Sequence, residues 1–345
     1  MAPKGSFENQ YDDYSDDVTG NILNNSRDGI SEKFQTKLLK FKTEKLNILK
    51  MKMESDIFYD GTVYTGSAGL ALLYFLESLK NDNSPETLKT ALEYINIENL
   101  KGHRISFLCG DAGPLALATV ISYKLGSKHT DKMLPDYKTL AQRLMSLISL
   151  LQESPDELLY GKSGYLYALL FVNKHISGKE IIPVKHIEKV ISSILKSGKQ
   201  YSAATKSASP LLWHWHEKVY FGAAHGMAGI LYMLLQIFEE EKYLKIAVQC
   251  GDLIWNRGLC TKGYSICHGV SGNAYAFIQL YQATKKPMYL YQACCFMEWC
   301  AVERTGTELH HPDRPASLFE GLVGRIYLAE DITRVLDAKF PAFTL

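Results

Sequence analysis

Cys267 and His268 stand side by side in the stretch "KGYSICHGVSGNAYAF", residues 262–277, directly ahead of Gly269 and an apolar run. Thiolate and imidazole are the two side chains that zinc favours, so the pair could supply half of a tetrahedral site. Both residues are also ordinary in a helical core, where cysteine packs as a small apolar group. A second histidine, His225, precedes its own glycine in "AAHGMAGILYML". An imidazole in that position can take or give a proton near neutral pH.

These residues occupy equivalent places in a repeated pattern. Six segments read Gly-x-x-Gly followed by apolar sequence, with first glycines Gly66, Gly110, Gly161, Gly226, Gly269 and Gly321, separated by 44, 51, 65, 43 and 52 residues. One such motif carries little information. Six, each leading into helix-forming sequence, define a repeat array. Amphipathic stretches with helical spacing lie between them, for example "DYKTLAQRLMSLISLLQE" and "VKHIEKVISSILKSGK", and strand-like alternation is scarce. Each repeat therefore predicts an amphipathic outer helix, a loop, and an inner helix apolar on nearly every face that must be buried. The paired glycines are expected to permit close backbone approach and unusual dihedral angles at the helix entrance.

If all inner helices enter from one end, their free N–H groups and positive ends surround a mouth that favours an anion or a thiolate. The residues just before each first glycine line that mouth: Thr65, Cys109, Tyr160, His225, His268 and Glu320. Thr65 and Tyr160 read as capping and packing residues. His225, His268 and Glu320 are ionisable and read as functional candidates, although a carboxylate at a helix start is equally well explained by the dipole. Asp111 is expected to cap its helix, Cys294 and Cys295 to pack on an outer helix, and His310 and His311 to be solvated loop residues.

Bulk composition narrows the classes. A chain of 345 residues with 46% hydrophobic content can bury a large core. Its 38 basic and 37 acidic residues show no dominant block, which argues against a nucleic-acid surface. No apolar stretch is long enough to cross a membrane, and the polar start shows no secretory signal. Seven cysteines, an odd number, are then expected to be reduced thiols in a cytoplasmic protein, with peripheral attachment at the plasma membrane left open.

The segments "YTGSAGLALLY", "FLCGDAGPLALA", "DELLYGKSGYLYALLFVN", "GAAHGMAGILYML", "GLCTKGYSICHGVSGNAYAF", "SLFEGLVGRIYLAEDI" and the ending "FPAFTL" resemble those of eukaryotic LanC-like proteins, relatives of bacterial lanthionine synthetase C. The resemblance runs nearly end to end. It implies an all-α fold, an α/α toroid, as a single domain over residues 1–345 with an N-terminal arm at 1–30. It also implies zinc, glutathione as a thiol partner, peptide or protein substrates, and addition of the thiol to electrophiles such as dehydroamino acids. Under it Cys267 and His268 match adjacent zinc ligands, and His225 matches an acid/base histidine. Lys262 matches a basic position near the thiol-peptide site, and Lys4 a basic residue of the arm.

The chain also departs from that family. The family's toroid has seven inner helices, whereas six glycine entrances are visible. The His-Trp-Cys-His-Gly segment that carries the family's first zinc cysteine is absent, because "HGMAGILYMLLQ" runs straight into "IFEEEKYLKIAVQCGDLIW". That puts a missing repeat near 236–237. The run Trp213-His214-Trp215-His216 contains no cysteine and matches a different, earlier loop. A catalytic zinc takes three protein ligands, so the motif gives an incomplete site, with Cys260 or His225 as candidates for the third. Two functions are expected from this: zinc-dependent glutathione addition, or a non-catalytic glutathione- or peptide-binding module. An inactive truncated isoform is the third expectation.

Overall fold

The computed structural model describes residues 5–53, 60–80, 83–98, 100–126, 135–176, 178–207, 209–220, 223–235, 244–304 and 309–344. Lys4 and the junction at 236–237 lie outside them. Among the described residues the chain is a succession of α-helices, with only isolated β-bridges. In chain order these are α1 (Glu32–Met53), α2 (Ser67–Lys80), α3 (Pro85–Glu93), α4 (Ala112–Leu125), α5 (Tyr137–Ser146) and α6 (Lys162–His175), then α7 (Val184–Ala204), α8 (Met227–Leu235), α9 (Leu244–Arg257), α10 (Val270–Thr284), α11 (Pro287–Ala301) and α12 (Leu322–Thr333). No described helix is long and apolar enough to cross a membrane.

The chain forms two compact units. The histidine unit, which carries His225, comprises Asp60–Glu239 with Pro341–Leu345. In it α2, α4, α6 and α8 pack in succession, while α3, α5 and α7 lie against α2, α4 and α6. The cysteine unit, which carries Cys267, comprises Met1–Tyr59 with Glu240–Phe340. There α10 packs on α9, α11 and α12, and α1 packs on α12.

Burial follows the sequence pattern. The inner helix α4, "AGPLALATVISYKL", buries twelve of its residues. The outer helix α7 buries only the stripe Val190, Ile194, Gly198 and Ser202, at the four-residue spacing of one helical face. Two outer helices start on ordinary caps: ahead of α5, Asp136 accepts from the N–H groups of Lys138 and Thr139 at 2.9 and 3.3 Å, and ahead of α3, Ser84 accepts from Thr87 N–H at 3.4 Å.

The inner helices start on a different device, repeated six times. The residue after each first glycine donates its N–H to the carbonyl seven positions earlier. The pairs are Ser67 to Asp60, Asp111 to Arg104, Lys162 to Pro155, Met227 to Tyr220, Val270 to Gly263 and Leu322 to Pro315, at 2.7–3.0 Å. This curls the preceding loop back over the helix start. The glycines are required by that approach. A Cβ at Gly164 would stand 2.2 Å from the carbonyl oxygen of Leu158, and one at Gly272 would stand 2.1 Å from that of Ile266. Unusual dihedral angles are not involved, against expectation: Gly161, Gly269 and Gly321 have φ of −119°, −111° and −117°, which any residue adopts.

A second feature recurs in the same loops. The side chain four positions before the first glycine accepts the N–H of the residue just before that glycine. Thr62 does so for Thr65, Ser106 for Cys109, Ser265 for His268 and Ser317 for Glu320. In the third repeat a carboxylate, Glu157, takes this role for Tyr160. Successive loops are also tied together inside each unit. Tyr64 N–H donates to Leu108 O and Cys109 N–H to Leu159 O in one, and Cys267 N–H donates to Phe319 O in the other. The expected capping role of Asp111 is corrected here. Its carboxylate leaves the helix start and accepts from the N–H groups of Lys101 and Gly102.

Candidate functional sites

The cysteine unit contains a cleft of about 580 Å³ lined by Lys262, Cys267, His268 and Glu320. Cys267 and His268 are set by their backbone: Cys267 N–H donates to Phe319 O at 3.1 Å and His268 N–H to Ser265 Oγ at 3.3 Å. Cys267 is half-buried and His268 exposed. Lys262 is exposed, and among the described residues it joins no ion pair. His310 and His311 are exposed as expected, yet they line this cleft, and His310 N–H donates to Thr261 O at 2.9 Å.

Part of the cleft lining is cationic and braced. Arg325, on α12, is 6% exposed. Its guanidinium donates to Cys300 O, pairs with Glu303 at 3.0 Å and lies 4.1 Å over the Tyr264 ring. Lys45, on α1, reaches the same Glu303 carboxylate. Burial pushes the Glu303 carboxyl up, but Lys45 and Arg325 outweigh burial and hold it below its ordinary value. Arg304, also in the cleft wall, stacks 4.1 Å over Trp299.

A catalytic zinc takes three protein donors. Cys260 comes close to the pair, for its Sγ donates to His268 O at 3.5 Å, and burial raises its thiol pKa. Still, among the described residues no three His, Cys, Asp or Glu side chains stand together so as to hold a metal ion. Cys267 and His268 supply two donors, one short of what a catalytic zinc takes. The residues present do not complete the site. His225, the other candidate for a third ligand, lies in the other unit.

In the histidine unit His225 is held by two kinds of contact. Its Nδ1 lies 2.9 Å from Glu157 Oε2, and Glu157 is 2% exposed. Glu157 also accepts from the N–H groups of Leu159 and Tyr160 at 2.9 and 2.6 Å. An ionised carboxylate can only accept, so Nδ1 carries a proton and Nε2 is the nitrogen left for exchange when the ring is neutral. On its face the imidazole stacks against Trp215 at 4.2 Å, with the Tyr160 ring 5.9 Å away and Arg104 above that tyrosine at 4.8 Å. Tyr160 thus packs, as expected, but what it packs on is the candidate acid/base.

Trp215 is aimed by a two-residue turn in which it exchanges both backbone hydrogen bonds with Lys218, at 2.9 and 3.1 Å. The turn residues His216 and Glu217 have φ of +46° and +61°, a region that favours glycine. Glu157, Trp215, Arg104 and Arg325 are the site residues that sequence reasoning missed. Glu157 carried a signal: it is the one carboxylate at a position where the other described loops have serine or threonine.

Comparison with known proteins places the chain. A model described as "Lanthionine synthetase C-like protein" matches residues 57–239 and 234–345, so the two matched segments meet near the junction at 236–237. The zebrafish (Danio rerio) protein called glutathione S-transferase LANCL1 is 35% identical, with 99% of this chain and 100% of that one covered. That alignment spans 412 positions, more than the 345 residues of this chain. The Arabidopsis thaliana LanC-like protein GCL1 is 27% identical over 83% of this chain and 82% of its own. Among solved structures, nisin cyclase covers 85% of this chain and 84% of its own at 15% identity, with a TM-score of 0.43.

Proposed function

The chain belongs to the lanthionine synthetase C-like family, and on that premise we propose that it binds glutathione in the cleft of the cysteine unit and presents the thiol for addition to an electrophile. Membership also carries the fold class, the all-α α/α toroid that the family resemblance implied. The observation behind the proposal is the gathering of Lys262, Cys267 and His268 in one cleft of about 580 Å³. Glutathione is a small peptide with two carboxylates, one ammonium group and one thiol. Lys262 and Arg304 suit the carboxylates, and Glu320 suits the ammonium group. Lys4, adjacent in sequence to Gly5, is assigned to the same ligand. The name of the zebrafish relative, a glutathione S-transferase, supports the choice of ligand.

The reaction we assign is addition without redox change. The thiol gives up its proton, sulfur bonds to the β-carbon of a dehydroamino acid, the carbon–carbon π bond is broken, and the α-carbon takes up a proton. His225 is assigned the acid/base role, with Glu157 fixing its tautomer and Trp215 its plane. Zinc, the metal expected of the family, would find only Cys267 and His268 as donors among the described residues, one short of a catalytic site, so activation of the thiol is assigned to the protein's own groups.

The incomplete donor set also favours a second reading, a module that binds glutathione or a peptide without turning it over. Calorimetric titration of glutathione into the full chain, beside Lys262→Ala, tests the shared part. A Kd raised about ten-fold in the variant supports the cleft assignment. No binding by the parent sinks both readings. Mass-spectrometric detection of an adduct with a dehydroalanine peptide then separates them: binding without adduct selects the module.

A further inference from the structure

The helix α11, "PMYLYQACCFMEWCA", sits in the series as an outer helix, yet eleven of its residues are buried. An outer helix that is apolar all round needs a cover on its outward face. Inside the cysteine unit that cover is the N-terminal arm. The Phe7 ring lies 5.8 Å from Trp299 and the Tyr14 ring 5.9 Å from Tyr291. Tyr291 OH donates to Asp12 O at 3.1 Å. Asn9 Nδ2 donates to Trp255 O at 2.9 Å, and Trp255 Nε1 donates back to Asp13 Oδ1 at 2.7 Å. Cys294 and Cys295 are buried in this helix, as expected of packing residues.

The arm does more than cover. Around the bridge between Ser6 and Cys260, Phe7 N–H donates to Leu259 O at 2.6 Å and Thr261 N–H to Gly5 O at 3.0 Å. On its other side Thr261 O accepts the N–H of His310. Thr261 is therefore gripped by the arm and by the 309–313 loop together, and the next residue is Lys262, in the cleft wall. Gly263, with φ +84°, follows immediately, and a Cβ there would meet His310 O at 2.9 Å.

We infer that arm residues 5–14 form a strap that locks the rim of this cleft. While docked, the strap holds the Leu259–Thr261 segment, and through Thr261 that segment holds the 309–313 loop. When it lifts, both sides of the rim are freed at once. The strap is a row of single hydrogen bonds and two ring contacts, without a helix of its own. Such a segment opens locally at far lower cost than the packed helices unfold. The strap therefore sets how readily the cleft admits and releases whatever it binds, and this holds whether or not that ligand is glutathione.

Amide hydrogen exchange on the full chain tests this with Phe7→Pro, which removes the N–H that pairs with Leu259 O. The expected result is exchange faster by about ten-fold in peptides spanning 259–264 and also in those spanning 309–316, with α4 peptides unchanged. Unchanged exchange at 259–264, or a rise there without one at 309–316, overturns the strap. If Phe7→Pro also loosens α4, Asn9→Ala decides instead. A rise of about three-fold in both rim peptides supports the strap, and none overturns it.

Discussion

The two units use one loop design for different chemistry. In the cysteine unit the position four before the first glycine is Ser265 or Ser317, an uncharged hydroxyl that serves only the backbone. In the histidine unit the third repeat has Glu157 there, and the carboxylate accepts the Tyr160 N–H at Oε1 and both the Leu159 N–H and His225 Nδ1 at Oε2. The framework is kept while the charge is moved. One unit thus presents a cleft with a thiol, an imidazole and, in Lys262, a cation that joins no ion pair among the described residues, and the other presents an imidazole fixed by a buried carboxylate. A change at a structural position, not at the motif itself, separates a cleft lined by a thiol and an imidazole from an imidazole held by a buried carboxylate.

If the framework is common, its largest penalties should match in both units. Gly164→Ala and Gly272→Ala each drive a Cβ into a carbonyl oxygen at 2.2 and 2.1 Å. Each is expected to cost about 3 kcal/mol, read as a drop in melting temperature of several degrees. Tolerance of one but not the other would break the shared design.

Next come the substitutions that should differ between units. Glu157→Ala leaves the N–H groups of Leu159 and Tyr160 and Nδ1 of His225 without their acceptor, at a cost of about 2–3 kcal/mol. Ser265→Ala removes a single acceptor and should cost about 1 kcal/mol in denaturant melts. Equal costs would mean that Glu157 is only another cap.

A smaller effect is expected with acid. The folded-state pKa of Glu303 is held below its ordinary value by Lys45 and Arg325, after burial has been overcome. A depressed carboxyl adds stability above its unfolded pKa, and that stability is lost as pH falls through the folded value. Melting temperature should therefore fall between about pH 5 and pH 3, and Glu303→Gln should flatten that slope. An unchanged slope would show that the cleft wall does not depend on this ion pair. The smallest effect is a gain: Glu217→Gly relieves a φ of +61° in the turn behind Trp215 and should stabilise by about 0.5–1 kcal/mol in thermal melts.

The six helix entrances were legible in the sequence because a steric demand fixes them: only glycine fits beneath the returning carbonyl. The arm over α11 was not read from the sequence, because nothing in the polar 5–14 stretch marks it as the cover that an outer helix with eleven buried residues requires. Cys267 and His268 were found because they adjoin one glycine entrance, and Lys262 because its stretch resembles the LanC-like motif; all three line one cleft. Trp215 was not legible. Its aim depends on a turn with His216 and Glu217 at positive φ, where the sequence offers neither glycine nor asparagine. Asp111 misled because a carboxylate beside a helix start reads as a cap, and only the fold brings the Lys101 and Gly102 amides to it.

The central claim is that thiol binding resides in the cysteine unit and proton handling in the histidine unit. Its most direct test is the glutathione affinity of Cys267→Ala beside that of His225→Ala, measured by calorimetry on the full chain. The account predicts binding weakened about ten-fold or more in Cys267→Ala and held within about two-fold in His225→Ala. Equal loss in both, or loss in His225→Ala alone, would contradict it.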